Sequence, residues 1–233
     1  MSSVAIIPAR GGSKRIPRKN VRMLDGKPLI SFPIIAALES QMFSEVFVST
    51  DDTEIAEIAK SYGAKVPFLR SAELSDDFTP TIPVIRDSIE RIEKSGYMFE
   101  NCCCIYPTSI FVTPKDLFEA HKQLIGSPKS DFVVSVVKFP YPIQRALGMN
   151  SDLDVSFLHP EYLSARSQDL PNTYHDSAQF YLGKKSAWME SESVFINAIG
   201  YLLDSSKIQD IDDEEDLRKA EFLYKSNKAS DLS

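Results

Sequence analysis

This 233-residue chain has no stretch approaching the ~20 consecutive apolar residues that a membrane-spanning helix requires. Its opening, Met1-Ser2-Ser3-Val4, carries no basic leader ahead of a strand-like run. Neither a secretion signal nor a membrane partner is therefore expected, and the protein reads as cytoplasmic. Cysteine is scarce. The three present occupy residues 102–104, in an apolar run ending at Ile105. That spacing suits neither a disulfide nor a metal site and predicts small buried residues of a central strand in a reducing compartment. Excess positive charge is missing too: 33 acidic against 26 basic residues leave a net charge of −7. Nucleic acid is thereby excluded as a bulk partner, because backbone binding needs a broad positive surface. There are no internal repeats and no low-complexity segments.

What is there is ordinary globular composition, 43% hydrophobic and 25% charged. A chain of this length buries roughly 70–75% of the surface it exposes when unfolded, enough for one large α/β domain without disulfide or metal staples. Short apolar runs alternate with helical stripes through residue 138. Residues 4–7, 46–50, 65–69, 102–106 and 132–137 read as strands. Helices are predicted from Asp51-Asp52 to Gly63, along Ile82, Ile85, Ile89 and Ile92 to Gly96, and from Thr113-Pro114, a cap followed by a first-turn proline. A last helix begins near Asp213, and residues 226–233 are expected to fray. Such alternation implies a three-layer, Rossmann-like α/β fold: a mainly parallel sheet with helices on both faces and ligands at the carboxyl ends of the strands. Across residues 139–183 the pattern stops, broken by Pro140, Pro142, Pro160 and Pro171. A stretch this long is either a functional excursion inserted in the single domain (residues 1–233) or an arm reaching a partner.

Charge is distributed unevenly. Seven bases stand against one acid, Asp25, between Arg10 and Lys27, and seven acids against one base, Lys207, between Asp204 and Asp216. A site holding a polyphosphate and its metal needs such a pair of patches, although two separate solvated runs would read the same way. The loop Pro8-Ala9-Arg10-Gly11-Gly12-Ser13-Lys14-Arg15-Ile16-Pro17-Arg18-Lys19-Asn20 is the most informative segment. Its glycines permit positive φ and a close backbone approach, and the N–H groups of Gly11, Gly12 and Ser13 can form an anion-binding concavity. A generic turn would carry the same glycines. The Gly-x-x-x-x-Gly-Lys-Ser/Thr and Gly-x-Gly-x-x-Gly patterns are absent, so P-loop and dinucleotide-binding classes are disfavoured. Asp210 and Asp212 flank Ile211, a spacing that puts both carboxylates on one side of an extended segment. The pair suits Mg²⁺ completed by phosphates and water, and equally suits capping of the next helix.

The run Ile7-Pro8-Ala9-Arg10-Gly11-Gly12-Ser13-Lys14, with Ile16-Pro17 and Lys19-Asn20, closely resembles the opening of CMP-sialic acid synthetases and their relatives, the acylneuraminate cytidylyltransferase family. The resemblance continues through Ser49-Thr50-Asp51, Phe68-Leu69-Arg70, Tyr106-Pro107-Thr108 and Asp210-Ile211-Asp212. Arg15 stands where sialic acid members usually carry Gly. Tyr141-Pro142-Ile143-Gln144-Arg145, Arg166-Ser167-Gln168-Asp169, Tyr174-His175-Asp176 and Gln179-Phe180-Tyr181 look like the pseudaminic acid branch; there an Ala-Gly pair commonly precedes Gln-Phe-Tyr, and here it is Ser177-Ala178.

What the resemblance implies is Mg²⁺-dependent transfer of CMP from CTP to the anomeric C2 hydroxyl of a nonulosonic acid, most closely pseudaminic acid. Arg10, Lys14, Lys19 and Asp212 would be catalytic, with Asp210 and Asp212 on the metal. Ala9, Arg10, Gly11, Gly12, Ser13, Lys19, Asn20, Arg70, Tyr106, Pro107 and Thr108 would bind the nucleotide. Gln144, Arg145, Arg166, Gln168, His175, Asp176, Gln179 and Tyr181 would face the sugar, where a guanidinium suits its carboxylate. The excursion would form the arm of a homodimer, and the product would feed flagellin or surface-polysaccharide glycosylation. No residue offers itself as general base. Three alternatives stay open: a sialic, legionaminic or octulosonic acid substrate, an Asp-x-Asp glycosyltransferase, and an idle CTP-binding regulator.

Overall fold

A computed structural model describes residues 2–230. Its centre is a six-stranded sheet built from β1 (Ser3–Pro8), β4 (Glu45–Ser49), β5 (Asn101–Ile105), β6 (Phe132–Lys138), β9 (Tyr174–Lys184) and β10 (Ala198–Leu202), in the order β10-β6-β9-β5-β1-β4. β1 runs parallel to both neighbours and β10 parallel to β6, while β9 is antiparallel to β5 and β6. Two small hairpins, β2 (Met23–Leu24) with β3 (Lys27–Pro28) and β7 (Leu147–Met149) with β8 (Val155–Phe157), lie outside the sheet.

Strand alternation divides the core in two. Ala5, Ile7, Val46, Val48, Cys103 and Ile105 pack on one face against α1 (Ser31–Glu39), α2 (Thr53–Ser61) and α4 (Pro114–Gly126). Val4, Ile6, Phe47, Cys102 and Cys104 pack on the other against α3 (Thr81–Lys94) and Trp188 of α5 (Lys185–Glu190). All three cysteines are buried and free, and loss of solvation raises their pKa values, so none is a poised thiolate. The predicted caps are present: Asp52 accepts from the Ile55 N–H, and Thr113 and Asp116 form a reciprocal capping box.

Several segments differ from the sequence reading, α5 and β10 among them, since neither was foreseen. Residues 65–69 make only isolated bridges, Phe47 with Lys65 and Thr50 with Leu69, because Pro67 between them has no N–H to donate. The excursion ends earlier than residue 183, since β9 is a central strand beginning at Tyr174. α1 was not foreseen. The final helix, α6 (Glu214–Ser230), keeps its helical form through residues 226–230, where fraying was expected; residues 231–233 lie outside the described residues.

A third cluster positions the site. Ile16 of the basic loop, Leu24, Leu29, Ile110, Ile211 and Leu217 and Ala220 of α6 bury one another. Ile211 is fully buried, so the residue between the two aspartates pins the far end of the chain against the glycine loop.

Candidate active site

At the carboxyl ends of β1 and β5 a cleft of about 410 Å³ opens. Arg10, Ser13, Lys19 and Asn20 reach it from the basic loop, Arg70 from the segment beyond β4, and Tyr106, Pro107 and Thr108 from the turn after β5. Asp210 and Asp212 line it from the C-terminal side, and Asp176 and Tyr181 from β9. Residues that are distant in sequence meet here: Arg15 pairs with Asp212 at 2.9 Å, and Lys19 lies 3.7 Å from Asp212 while donating to the Ile211 carbonyl at 2.6 Å.

The two charge patches therefore form one site. Burial lowers the pKa of Lys19, against the opposing pull of Asp212 and Asp210. Burial, then repulsion from Asp212, raises that of Asp210. The capping alternative falls away, because Asp213 and Asp216 take the N–H groups at the start of α6: Asp213 accepts from Glu215 and Asp216, and Asp216 from Asp212 and Asp213. Asp210 and Asp212 thus remain as a pair of hard oxygen donors whose mutual repulsion a divalent cation would relieve. Among the described residues no group of three or more His, Cys, Asp or Glu forms a complete protein cage. Two carboxylates beside a cationic cleft fit a metal shared with substrate phosphates.

The glycine loop is organised differently from the reading above. Neither Gly11 nor Gly12 adopts positive φ; Arg18 does, at 57°. The Gly11 N–H goes to Asp51 Oδ1 at 2.9 Å, and that of Ser13 to the Gly11 carbonyl at 3.1 Å. Gly11 is required by close approach, since a Cβ there would lie 2.8 Å from Asp52 Oδ2, whereas a Cβ on Gly12 would meet nothing within 4 Å. Ala9 is buried in the core, donating its N–H to the Ser49 carbonyl at 2.9 Å. Asn20 is buried, with Nδ2 donating to the Arg10 carbonyl at 2.9 Å and Oδ1 left without a partner.

Three acids beside the site were not among its candidate residues. Asp77 pairs with Arg10 at 2.7 Å and with Lys14 at 2.5 Å, and the Asp76 carbonyl accepts from Arg10. Lys14 itself is largely exposed. Asp51 is the anion nearest the buried Arg70 guanidinium, at 4.0 Å. The available signal was position: Asp51 lies two residues beyond β4, and Asp76 and Asp77 lie in the loop leading into α3.

The sugar candidates divide. Asp176 and Tyr181 face the cleft, the Tyr181 hydroxyl donating to Asp176 Oδ2. Gln144, Arg145, Arg166, Gln168, His175 and Gln179 are not on its wall. Arg166 pairs locally with Asp169 at 2.9 Å, and His175 is exposed, its ring 4.6 Å from that of Phe139. His175 Nδ1 contacts the backbone carbonyl of Asp176 at 2.8 Å. Gln179 is buried within β9, and its side-chain oxygen and that of Gln144 are buried without a partner.

Comparison with known proteins fits this geometry. The cytidylyltransferase family profile matches residues 4–229. The chain belongs to the cytidylyltransferase family. This cytidylyltransferase is 41% identical, over 99% of both chains, to the pseudaminic acid cytidylyltransferase of Campylobacter jejuni serotype O:2. It is 34% identical to the CMP-N,N'-diacetyllegionaminic acid synthase of Legionella pneumophila, over 91% of this chain and 90% of that one. Among solved structures, a CMP:2-keto-3-deoxy-manno-octonic acid synthetase complexed with CTP superimposes with a TM-score of 0.72 at 16% identity, covering 97% of this chain and all of the other. That likeness is one of fold. Membership makes the chain a nucleotidyltransferase, of a family whose CTP-using enzymes generally depend on a divalent metal. No described helix is long and apolar enough to cross a membrane.

Proposed function

We propose that this enzyme transfers CMP from CTP to the anomeric C2 hydroxyl of pseudaminic acid, releasing pyrophosphate, with Mg²⁺ on Asp210 and Asp212. One observation carries the reading: full-length identity of 41% to a pseudaminic acid cytidylyltransferase, in a chain whose loop cations and C-terminal carboxylates line a single cleft. Arg10, Lys14 and Lys19 neutralise the triphosphate, and Gly12 and Ser13 bring backbone close to it. Asn20, Arg70 and the Tyr106-Pro107-Thr108 turn hold the nucleotide. When bound, the metal ion neutralises charge on the phosphate oxygens. Catalysis in such transfers comes from positioning and charge stabilisation.

The arm completes the sugar side from a second subunit. Tyr141, Leu147, Met149, Leu153, Val155, Leu158 and Leu163 are each at least 54% exposed, a density of apolar surface that suits burial against another copy. In the dimer Gln144, Arg145, Arg166 and Gln168 enter the partner subunit's cleft, which accounts for their distance from their own. Light scattering should return twice 26.1 kDa; a persistent monomer would reject the arm. The enzyme acts in the cytoplasm, where CTP is supplied.

The test is pyrophosphate release from CTP and Mg²⁺ with pseudaminic, sialic, legionaminic and octulosonic acids in parallel. Highest kcat/KM with pseudaminic acid is expected. A clear preference for another sugar would overturn the substrate, and no release with any would overturn the activity.

A further inference from the structure

The transfer proposed above needs a group that takes the proton of the attacking hydroxyl, and the cleft offers few. No histidine lines it. Lys19 stays committed to the Ile211 carbonyl and Asp212. Burial pushes the Tyr106 hydroxyl up to about 12 and that of Tyr181 higher still, so both remain protonated donors. Five carboxylates remain. Asp77 is held by Arg10 and Lys14, and Asp76 Oδ1 by the Phe78 and Thr79 N–H groups and the Thr79 hydroxyl. Asp210 and Asp212 form the metal pair. Asp176 belongs to neither group: it is in no ion pair among the described residues, is not one of the metal pair, and each of its oxygens accepts one hydrogen bond.

Its presentation is built into the sheet. β6 and β9 pair at Val134 with Tyr181 and again at Val136 with Asp176, so two steps along β6 face five along β9. The extra residues form a bulge, a device that re-aims side chains beside active sites. Ala178 turns it at φ 50°, a left-handed conformation that costs a non-glycine residue energy and marks an over-determined position. The Ser135 hydroxyl clamps the bulge, accepting from the Phe180 N–H at 3.0 Å and from the Ser177 hydroxyl at 2.8 Å, and donating to the Phe180 carbonyl at 2.9 Å. Asp176 Oδ1 accepts the Ala178 N–H at 2.9 Å and Oδ2 the Tyr181 hydroxyl. Each oxygen keeps a lone pair uncommitted, and the residue lines the cleft.

We infer that Asp176 is the general base of the transfer, oriented by Tyr181 and the bulge. As the sugar C2 oxygen forms its bond to the α-phosphorus, its proton passes to the Asp176 carboxylate, and the α-phosphorus–oxygen bond to pyrophosphate breaks with its electron pair on the leaving group. Asp176 then returns the proton to water. The titratable groups facing Asp176 are Tyr181 on its own strand and Tyr106 from the turn after β5, while β6 sets Val136 opposite it.

This assignment rests on the proposed activity, and the test separates the two. Wild type, Asp176→Asn and Tyr181→Phe are compared in CTP, Mg²⁺ and the same sugar panel across pH. Asp176→Asn should lose about 10²–10⁴-fold in kcat, the range of a general base, while binding CTP as wild type does. The acid limb of its kcat profile should disappear. Tyr181→Phe, which removes the hydroxyl that orients the carboxylate, should lower kcat by a smaller factor while leaving the KM for CTP unchanged. Asp176→Asn with wild-type kcat, or with a raised sugar KM alone, overturns the base while leaving the activity standing. Wild-type kcat in Tyr181→Phe overturns the oriented base as well, even if Asp176→Asn does not fold. No turnover by wild type with any sugar overturns both.

Discussion

Gly11 and Gly12 adjoin in sequence, yet their substitution by alanine should break different things. A Cβ on Gly11 meets Asp52 Oδ2 at 2.8 Å and Asp52 Cβ at 2.9 Å, so Asp52 must move. Asp52 caps α2 through the Ile55 N–H and pairs with Arg18. Losing the cap costs about 1 kcal/mol and loosening a half-exposed ion pair about 0.2–1 kcal/mol. Reduced freedom of the unfolded chain returns about 0.4–1 kcal/mol. The net loss of about 1 kcal/mol should lower Tm by roughly 2–4 °C in a chain of this size. Gly12 has open space around it and ordinary φ, so Gly12→Ala should leave Tm unchanged or slightly raised. On the proposed reading, however, its methyl group would obstruct a phosphate approaching the backbone. Loss of one charge-assisted hydrogen bond, about 1.5–3 kcal/mol, should weaken CTP binding by roughly 10–100-fold. Thermal melts and titration calorimetry on the two variants separate the effects. Unweakened CTP binding by Gly12→Ala would refute the phosphate-cradling loop, and an unchanged Tm for Gly11→Ala would refute the close-approach argument.

Further outcomes are expected elsewhere. If Arg10 and Lys14 hold the triphosphate as proposed, Asp77→Asn removes a competing carboxylate; at about 0.2–1 kcal/mol for such a pair, calorimetry should show CTP binding up to about fivefold tighter. Asp210 has a raised pKa when folded, so the native state holds its proton above pH 3.8 where the unfolded chain does not, and stability falls as pH rises through that window. Asp210→Asn should therefore raise the Tm of the metal-free protein at pH 7 while reducing the stabilisation that Mg²⁺ and CTP together confer. Ala178→Gly relieves left-handed strain of about 1–2 kcal/mol and adds unfolded-state freedom of about 0.4–1 kcal/mol, a net gain of about 0.5–1 kcal/mol that denaturant melts will resolve. Gly183→Ala would place a Cβ 2.4 Å from Phe132 Cδ1, overpacking the Phe132–Trp188 contact by at least about 1–3 kcal/mol in the same melts.

The legible parts of the fold were those whose pattern is local. β1, β4, β5 and β6 are short apolar runs, and α2, α3 and α4 have one apolar stripe and a recognisable start. α1 hid because Phe32, Ile34, Ile35, Ala36, Ala37 and Leu38 cover most of its circumference and Pro33 sits in its first turn. β9 hid because its bulge breaks the two-residue alternation at Ser177–Gln179. In the site, the glycine loop and the Asp210–Asp212 pair were visible as charge and spacing. Asp77 was not, since its partners lie more than 60 residues away and only the fold brings them together. Ala178 was visible as a departure from the branch's usual glycine, but its φ gave that departure a physical meaning.

The central claim is that one cleft grips CTP and directs an anomeric hydroxyl onto the α-phosphorus. The ³¹P NMR spectrum of CTP, Mg²⁺, pseudaminic acid and enzyme tests it in one observation. The predicted result is loss of all three CTP resonances with equimolar appearance of a single phosphodiester and pyrophosphate. Inorganic phosphate with CDP, or an unchanged CTP spectrum under conditions where the protein is folded, would contradict it.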